Sequence, residues 1–594
     1  MTINEKIKKE IVSLLKKQKV VVEIADLEVP PSAGMGDLAL PCFKLSKEYK
    51  RAPNEIAKDF AGNLKPAGLV IGYKNMGPYL NFILDSAKVA ELVLKEISKS
   101  KSKYGQSKTG KGEKVMIEYS QPNTHKEFHI GHLRNVCIGA ALINIYKNCG
   151  YKVVPANYIG DTGAHVAKTL WYLQNFINES DIPALPADRG EFLGECYVQA
   201  NRELKDSDKE VLAQDKNLDK KEFSSLVKEE HKEYKQEVAE ILKKLEEGDK
   251  ELLKLWKETR QWSLDLFNQI YKELGVKFDV YFYESMEEKE GKKMLPKLLK
   301  YPFIKKSEGA IIADLEKFNL GILVLVRKDG TALYGIKDLP LAIKKFKQFK
   351  IKKSIYLIDV RQSQYFKQIF KILNLMGLKK EMIHVAYEFV QLKSGIISSR
   401  TGNVVTYQEV KEPALVKAVS ETKLRHADWP EKKVNEVSAK IVQAALKFGM
   451  LKSGNDKVIT FDIKEALDTN GFTGPYLQYT LARLNSILRK IGGISAFGGK
   501  VDYKNLGTSI EKQLIRDLAN YAEIIAEALK NNDPSVFAQY LYKLAQNFNT
   551  FYHELPVLKA ELGVQAARLV LIKSIAQVLE NGLAVLGLPS LEEM

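Results

Sequence analysis

Residues Glu118–Asn135 read EYSQPNTHKEFHIGHLRN and crowd His125, His129 and His132 into one short stretch of a chain that has 8 histidines in 594 residues. Just before it, VMIEYS has the compact apolar character of a strand. After it, LRNVCIGAALINIYKNCG reads as an apolar helix closed by Gly150, and YKVVPANYIG as a second strand. Strand, loop, helix and strand at this spacing open a parallel α/β unit. The expected fold class is therefore α/β, with a Rossmann-like parallel sheet at its centre.

Three readings compete for the histidines. HxxxHxxH supplies imidazoles for a metal, but no cysteine lies near it, and Pro122 and Asn123 place its first part in a loop. No metal ligation is expected. A purely structural helix start explains nearby Asn and Thr as caps, but not Gly131, which costs helix stability between two histidines. The third reading is phosphate binding. A helix N-terminus offers free N–H groups to an anion, and Gly131 leaves a ligand room to approach the backbone. His129 and His132, three apart, share one side of the first turn. Neutral imidazoles there donate to phosphate oxygens without a permanent charge pair and respond near pH 7.

Working outward, residues 1–98 predict a small α/β module in which strand, Gly-rich turn and strand precede the helical SAKVAELVLKEIS. Residues 99–114, rich in Lys, Ser and Gly, read as a basic flexible linker. They lack the GxxxxGK[ST] spacing of a phosphate loop. The catalytic α/β region is expected over 115–410, with a dense two-signed charge pattern at about 176–255 that predicts solvated inserted helices. Within it, GILVLVRKDGTALY predicts a β-hairpin around Asp329-Gly330. A helical connector follows over 411–454, and 455–594 carries apolar faces at helical spacing throughout, the pattern of an all-helical bundle.

Net charge of +17 favours an extended polyanion as partner, and 45% apolar content is that of an ordinary globular protein. The N-terminus reads as an amphipathic helix without the apolar core of a signal peptide, and no run of eighteen or more apolar residues is expected to span a membrane. The 4 cysteines have no CxxC spacing, and a cytoplasmic location is expected.

HIGH at 129–132 resembles the signature of class I aminoacyl-tRNA synthetases. SQPNTHKEFHIGHLRN together with NYIGDTGAH at 157–165 resembles the arginyl-tRNA synthetases among them. GDLALPCFKLSK resembles that family's N-terminal module, which implies a contact to the tRNA core. PYLQYTLARLNSI, LAQNFNTFYHELPVL and the terminal LAVLGLPSLEEM resemble its anticodon-binding domain. In such a bundle Tyr476, Tyr479, Phe548 and Tyr552 are candidates for stacking on bases, and Arg483 for a nucleic-acid contact or an ion pair.

The resemblance implies a ligase that activates L-arginine with ATP, accompanied by Mg2+, and transfers it to the 3′-terminal ribose of tRNA(Arg). It also implies that bound tRNA is needed for the first step. By the same resemblance His129, His132 and Lys126 are catalytic, and Gly131, His129, His132, Ser398, Ser399 and Arg400 bind ATP. Asn123, Glu284, Tyr334, Asp338 and Gln362 bind arginine. Tyr334 and Asp338, four apart, share a face if their segment is helical, and a guanidinium with five donors calls for such carboxylate and planar partners.

Two positions depart from the family pattern. Ile396 and Ile397 stand where the family's KMSKS loop begins with Lys-Met, which makes Lys126 the candidate replacement cation beside Arg400 and Lys393. Thr162 stands where a tryptophan is common, which bears on local packing. The altered loop keeps open a non-catalytic tRNA-binding derivative; a class I synthetase of other specificity is the separate alternative, and one built for an apolar substrate should lack the Tyr334 and Asp338 pair. A monomer is expected.

Overall fold

The computed structural model describes residues 2–31, 33–204, 220–328, 330, 333–393, 405–490 and 501–594, with only the backbone of 33, 220–231 and 334. The chain divides into two compact units, one of residues 111–147 and 151–467, the other of 1–110, 148–150 and 468–594.

The first unit is built on a five-stranded sheet of Lys114–Glu118, Lys152–Ile159, Val280–Tyr283, Lys353–Asp359 and Glu381–Tyr387. Every neighbouring pair is parallel. The spatial order is fifth, fourth, first, second, third, so the chain reverses its winding beside the first strand. In open parallel sheets ligands bind at the C-terminal strand ends beside such a reversal. Here those ends lead into residues 119–132 and 360–365.

The helix Ile130–Asn148 is buried on nearly all sides, which explains its apolar sequence. Two polar residues on it do structural work that HLRN does not announce. Asn135 accepts from Ser120 N–H at 2.6 Å and donates to Leu357 O at 2.9 Å and Tyr387 Oη at 3.1 Å. It thereby ties the first, fourth and fifth strands to one helix. Arg134 is fully buried, and its guanidinium donates to the carbonyls of Glu388 at 2.6 Å, Phe389 at 3.2 Å, Lys457 at 2.8 Å, Gly454 at 3.1 Å and Asn455 at 3.4 Å. These turns precede Val390–Leu392 and Ile459–Phe461, which pair in parallel.

The turn expected around Asp329-Gly330 lies partly outside the described residues, and the described residues beside it bond across it: Gly330 N–H donates to Arg327 O at 3.0 Å and Leu333 N–H to Leu325 O at 2.9 Å, just before the helix Tyr334–Phe349. Ile322–Val326 also pairs antiparallel with Ala310–Asp314. Two expectations change. The charged insertion has a core of its own, in which Trp171, Leu193, Cys196, Val238 and Trp262 are buried. The segment 99–114 is not a free tether either: Tyr104 is buried, stacks on Tyr521 at 5.8 Å and donates to Leu518 O at 2.8 Å.

That tyrosine joins the second unit together. Its N-terminal sheet runs Leu38–Pro41, Tyr79–Leu84, Val70–Met76, and its bundle comprises Gly474–Lys490, Ser509–Asn531, Ser535–Glu554 and Leu562–Leu586. The bundle's unit begins at Asp468 rather than 455, because Ile459–Phe461 belongs to the first unit's strand pair. Leu562–Leu586 is long and apolar enough to cross a bilayer, yet most of it is buried within the bundle. Phe548 is core, Tyr476 accepts from Asn549 at 2.7 Å, and Arg483 lies 4.7 Å over the Tyr552 ring.

Replacing Arg134 by methionine leaves five carbonyls without their donor. The substitution is expected to cost about 3 kcal/mol, read as a lower denaturant midpoint; an unchanged midpoint refutes the strut.

Candidate active site

The loop between the first strand and its helix carries three residues with left-handed backbone, Ser120, Gln121 and His125. Such strain persists only where surroundings enforce it. Gln121 N–H donates to Asn157 Oδ1 at 3.0 Å, Ser120 Oγ meets Tyr271 Oη at 2.7 Å, and His125 N–H donates to Ser263 Oγ at 2.9 Å. The His125 ring is buried between Thr124 Oγ1 and Thr259 Oγ1, each at 2.9 Å. Its role is to hold the loop. Among the described residues no three His, Cys, Asp or Glu are grouped to hold a metal.

His129 and His132 cap the helix with their own rings. Gly131 N–H and His132 N–H donate to His129 Nδ1 at 3.1 and 3.3 Å, and His129 N–H donates to His132 Nδ1 at 3.2 Å. The rings stack with centroids 3.6 Å apart and 19° between planes. An acceptor Nδ1 on a neutral ring leaves the proton on Nε2, so each ring presents one N–H outward. Gly131 makes this fold possible: a Cβ there would meet His129 Cε1 at 2.9 Å. The room expected for a ligand over Gly131 is thus filled by an imidazole.

Neither histidine titrates near pH 7, contrary to the sequence expectation. Burial, with the charges of Lys126 and Arg361, pushes His129 down to about 4. Burial, His129 and Lys126 hold His132 well below its ordinary value. Both are fixed neutral donors. Lys126 stands near both rings, with Nζ 5.0 Å over Tyr197. Lys393 faces Asp462 at 3.7 Å and Glu465 at 3.9 Å. Ser398, Ser399 and Arg400 lie outside the described residues, but the chain beyond them is placed. Ile130 N–H donates to Val405 O at 2.9 Å and Tyr407 N–H to Phe128 O at 2.8 Å, which joins the exit of that loop to HIGH. Arg361, which sequence reasoning overlooked, adds a cation on this side, held bidentate by Asp359 at 2.7 and 2.8 Å.

A group of acidic side chains gathers around the second-strand end. A Cβ on Gly160 would overlap Asn123 Oδ1 and lie 3.5 Å from Glu284 Oε2, so Asn123 and Glu284 converge over bare backbone. Beside Gly160, Asp161 is fully buried and accepts from Arg260 at 2.9 Å and from Ser285 N–H and Oγ at 2.8 and 2.7 Å. Trp256 donates to Asp161 O at 2.9 Å. An indole therefore does stand at the GDTG turn, supplied by another helix, while Thr162 is half-buried.

Glu284 is buried and paired with Lys337 Nζ at 2.9 Å, which also meets Glu288 at 2.9 Å. Burial raises the Glu284 carboxyl and Lys337 opposes it. Pro340, inside the helix, cannot bond the carbonyl of Ile336 four residues back. A Cβ on Gly291 would overlap that same carbonyl oxygen. The missing bond and the missing side chain let the helix Glu284–Leu298 approach closely enough for the ion pair.

Tyr334 opens the helix that carries Asp338 on its next turn, as expected; the Tyr334 side chain is outside the described residues. Asp338 accepts from Tyr365 Oη at 2.5 Å and is pushed up to about 7 by burial, against that hydrogen bond and Lys345 and with Glu118 and Glu284. Tyr158, also overlooked, has a buried hydroxyl without a hydrogen-bond partner among the described residues, close to Asp338 and Glu284. Gln362 is exposed at the start of the helix Ser363–Leu375, and the structure does not bring its side chain onto this group.

Residues 93–462 match the family described as tRNA synthetases class I (R), catalytic domain. Residues 477–594 match the DALR anticodon binding domain, and 1–84 the arginyl tRNA synthetase N terminal domain. An arginine–tRNA ligase of Bdellovibrio bacteriovorus is 37% identical over 570 residues, covering 95% of this chain and 93% of that one. The chain belongs to the arginyl-tRNA synthetase family. The Clostridioides difficile ligase is 34% identical over 96% of this chain and 95% of its own. The solved Thermus thermophilus arginyl-tRNA synthetase superposes with a TM-score of 0.78 at 28% identity, covering 99% of each chain. The protein is thus a class I synthetase that activates arginine with ATP and transfers it to tRNA(Arg). Its catalytic and anticodon-binding domains imply ATP, an amino acid and tRNA as partners, and the class I fold implies magnesium with the ATP.

The synthetase's buried imidazoles also affect its stability. His125 and His165 are pushed down to about 3 and His129 to about 4, chiefly by burial. The unfolded chain therefore takes up protons first as pH falls below about 6.5. The stabilisation is complete above that pH and is lost toward the folded values. The thermal midpoint is expected to fall steadily from pH 6.5 to 4, and less steeply in His125→Gln; a flat profile refutes this.

Proposed function

We propose that the imidazole pair at the helix start and the acidic group around Glu284 and Asp338 divide the arginine-activation reaction between them. The observation that carries this reading is the capping of three backbone N–H groups by the two Nδ1 atoms, which leaves both Nε2–H groups as preset donors. In the acidic group Asp338 accepts the guanidinium, with Tyr334 beside it in sequence. Asn123 and Glu284 receive the polar groups of the substrate over Gly160. Because Lys337 already occupies Glu284 Oε1, that carboxylate is only partly available, which favours Asp338 as the main guanidinium acceptor.

The arginine carboxylate then attacks the α-phosphorus of ATP, the bond to the departing pyrophosphate breaks, and arginyl-adenylate forms. The Nε2–H groups of His129 and His132 stabilise charge growing on the phosphate oxygens. Gly131 keeps the His129 ring folded in place. Lys126 holds the departing end in place of the missing loop lysine, together with Ser398, Ser399 and Arg400. Magnesium enters with ATP as part of the substrate. A ribose hydroxyl at the tRNA 3′ end, the 2′-OH for class I, next attacks the adenylate carbonyl and displaces AMP. We further propose that the enzyme works as a cytoplasmic monomer.

His129→Ala is expected to lower kcat of arginine-dependent ATP–pyrophosphate exchange about 100-fold, with the arginine KM little changed. A variant of parental rate removes the role.

Arginine binding should also titrate Asp338. Below about 7 its carboxyl is protonated and cannot pair with a cation, so binding expels the proton. The arginine KM should fall about tenfold between pH 6 and 8 and then level off. In Asp338→Asn the KM is raised and this pH dependence disappears; a parental KM in that variant overturns the assignment.

A further inference from the structure

Asp338 has a partner that its own segment does not suggest. Tyr365 sits on the helix Ser363–Leu375, three residues beyond Gln362, and puts its hydroxyl 2.5 Å from Asp338 Oδ2. Its ring packs against a cluster that includes Ile336, Leu339 and Ile369, and meets Phe366 edge-on at 5.4 Å. Packing on both helices therefore sets the line along which the hydroxyl reaches the carboxylate.

That line has a consequence for recognition. The last torsion of an aspartate is broad and nearly two-fold, so a carboxylate standing alone does not keep one plane. A guanidinium is a rigid planar fork, and two of its parallel N–H groups need both carboxylate oxygens in that plane. An ammonium is a point charge with rotatable donors and makes no such demand. A hydroxyl fixed on Oδ2 removes the rotation while leaving Oδ1 and a second lone pair on Oδ2 for the fork.

We propose that Tyr365 is a positioning residue for arginine selection: its hydroxyl holds the Asp338 carboxylate in the plane and the ionised state that a guanidinium requires. This rests on the reading of Asp338 as the guanidinium acceptor. The ionised state is contested on every side. Glu118 from the first strand and Glu284 from beyond the third oppose it, as does burial. Lys345, seven residues along the same helix, supports it, but its Nζ is committed to Glu118 at 2.5 Å and lies 4.3 Å from the Tyr356 ring on the fourth strand. Tyr158 approaches from the second strand with a hydroxyl that bonds no described residue. Among the described residues Tyr365 bonds the carboxylate directly.

The test is Tyr365→Phe in the full chain, with arginine-dependent ATP–pyrophosphate exchange measured in the presence of tRNA from pH 6 to 9. The arginine KM should rise about tenfold at pH 7 while kcat stays within about twofold and the ATP KM is unchanged. The inflection of arginine KM should move from about 7 toward roughly 8, so that the deficit shrinks in alkali. Selectivity for arginine over lysine should fall.

Replacing Tyr365 alone with 3-fluorotyrosine keeps the ring and strengthens the donor, so it should move the inflection the opposite way. Either variant with a parental pH profile overturns the proposal, and so does joint decline of kcat and both KM values, which is loss of fold. In the Asp338→Asn background Tyr365→Phe should add nothing, and an additive effect also overturns it. If instead Asp338→Asn leaves the arginine KM at its parental value, it is the guanidinium assignment itself that fails.

Discussion

The first backbone N–H groups of any α-helix lack partners within it, and at the start of Ile130–Asn148 they are met by imidazole nitrogens. Much of the catalytic unit follows from that arrangement. Accepting through Nδ1 fixes the tautomer, stacking fixes the ring planes, and burial beside Lys126 and Arg361 keeps the rings neutral. A helix terminus that would otherwise hold an anion directly instead passes its donors outward through two side chains. For this to work the helix must stay in one place relative to the sheet. Asn135 and Arg134 do that, one bonding three strand ends or their loops, the other collecting five carbonyls from two turns.

The carboxylates around Glu284 and Asp338 are governed by a different constraint, the cost of keeping several of them out of water. Lysines offset it: the buried Lys337 on Glu284 and Glu288 and Lys345 on Glu118, and the part-exposed Lys344 on Glu287. Asp338 is the member bonded by a phenol, and burial pushes its carboxyl up to about 7 against that bond. The close approach of two helices that makes the lysine pairs possible depends on one missing hydrogen bond at Pro340 and one missing side chain at Gly291.

Much of this was legible along the chain. The alternation of strand and helix around HIGH announced the parallel sheet, and the motifs named the family. The four-residue spacing of Tyr334 and Asp338 placed both on one helix. Other features were hidden because they join distant residues. Arg134 reads as a surface charge until 388–389 and 454–457 are seen around it. Tyr365 lies 27 residues from Asp338 and shares no motif with it.

By itself, then, the sequence determined the order of elements, the strand-loop-helix setting of HIGH and the family. Those depend on periodicity and on residues adjacent in the chain. Only the tertiary structure decided the protonation of the histidines, the burial of His125 as a loop support, the pairing of Glu284 with an internal lysine and the phenol on Asp338. A pKa or a hydrogen bond is set by desolvation and by whichever group stands within about 3 Å. In this fold those groups come from strands and helices far apart along the chain.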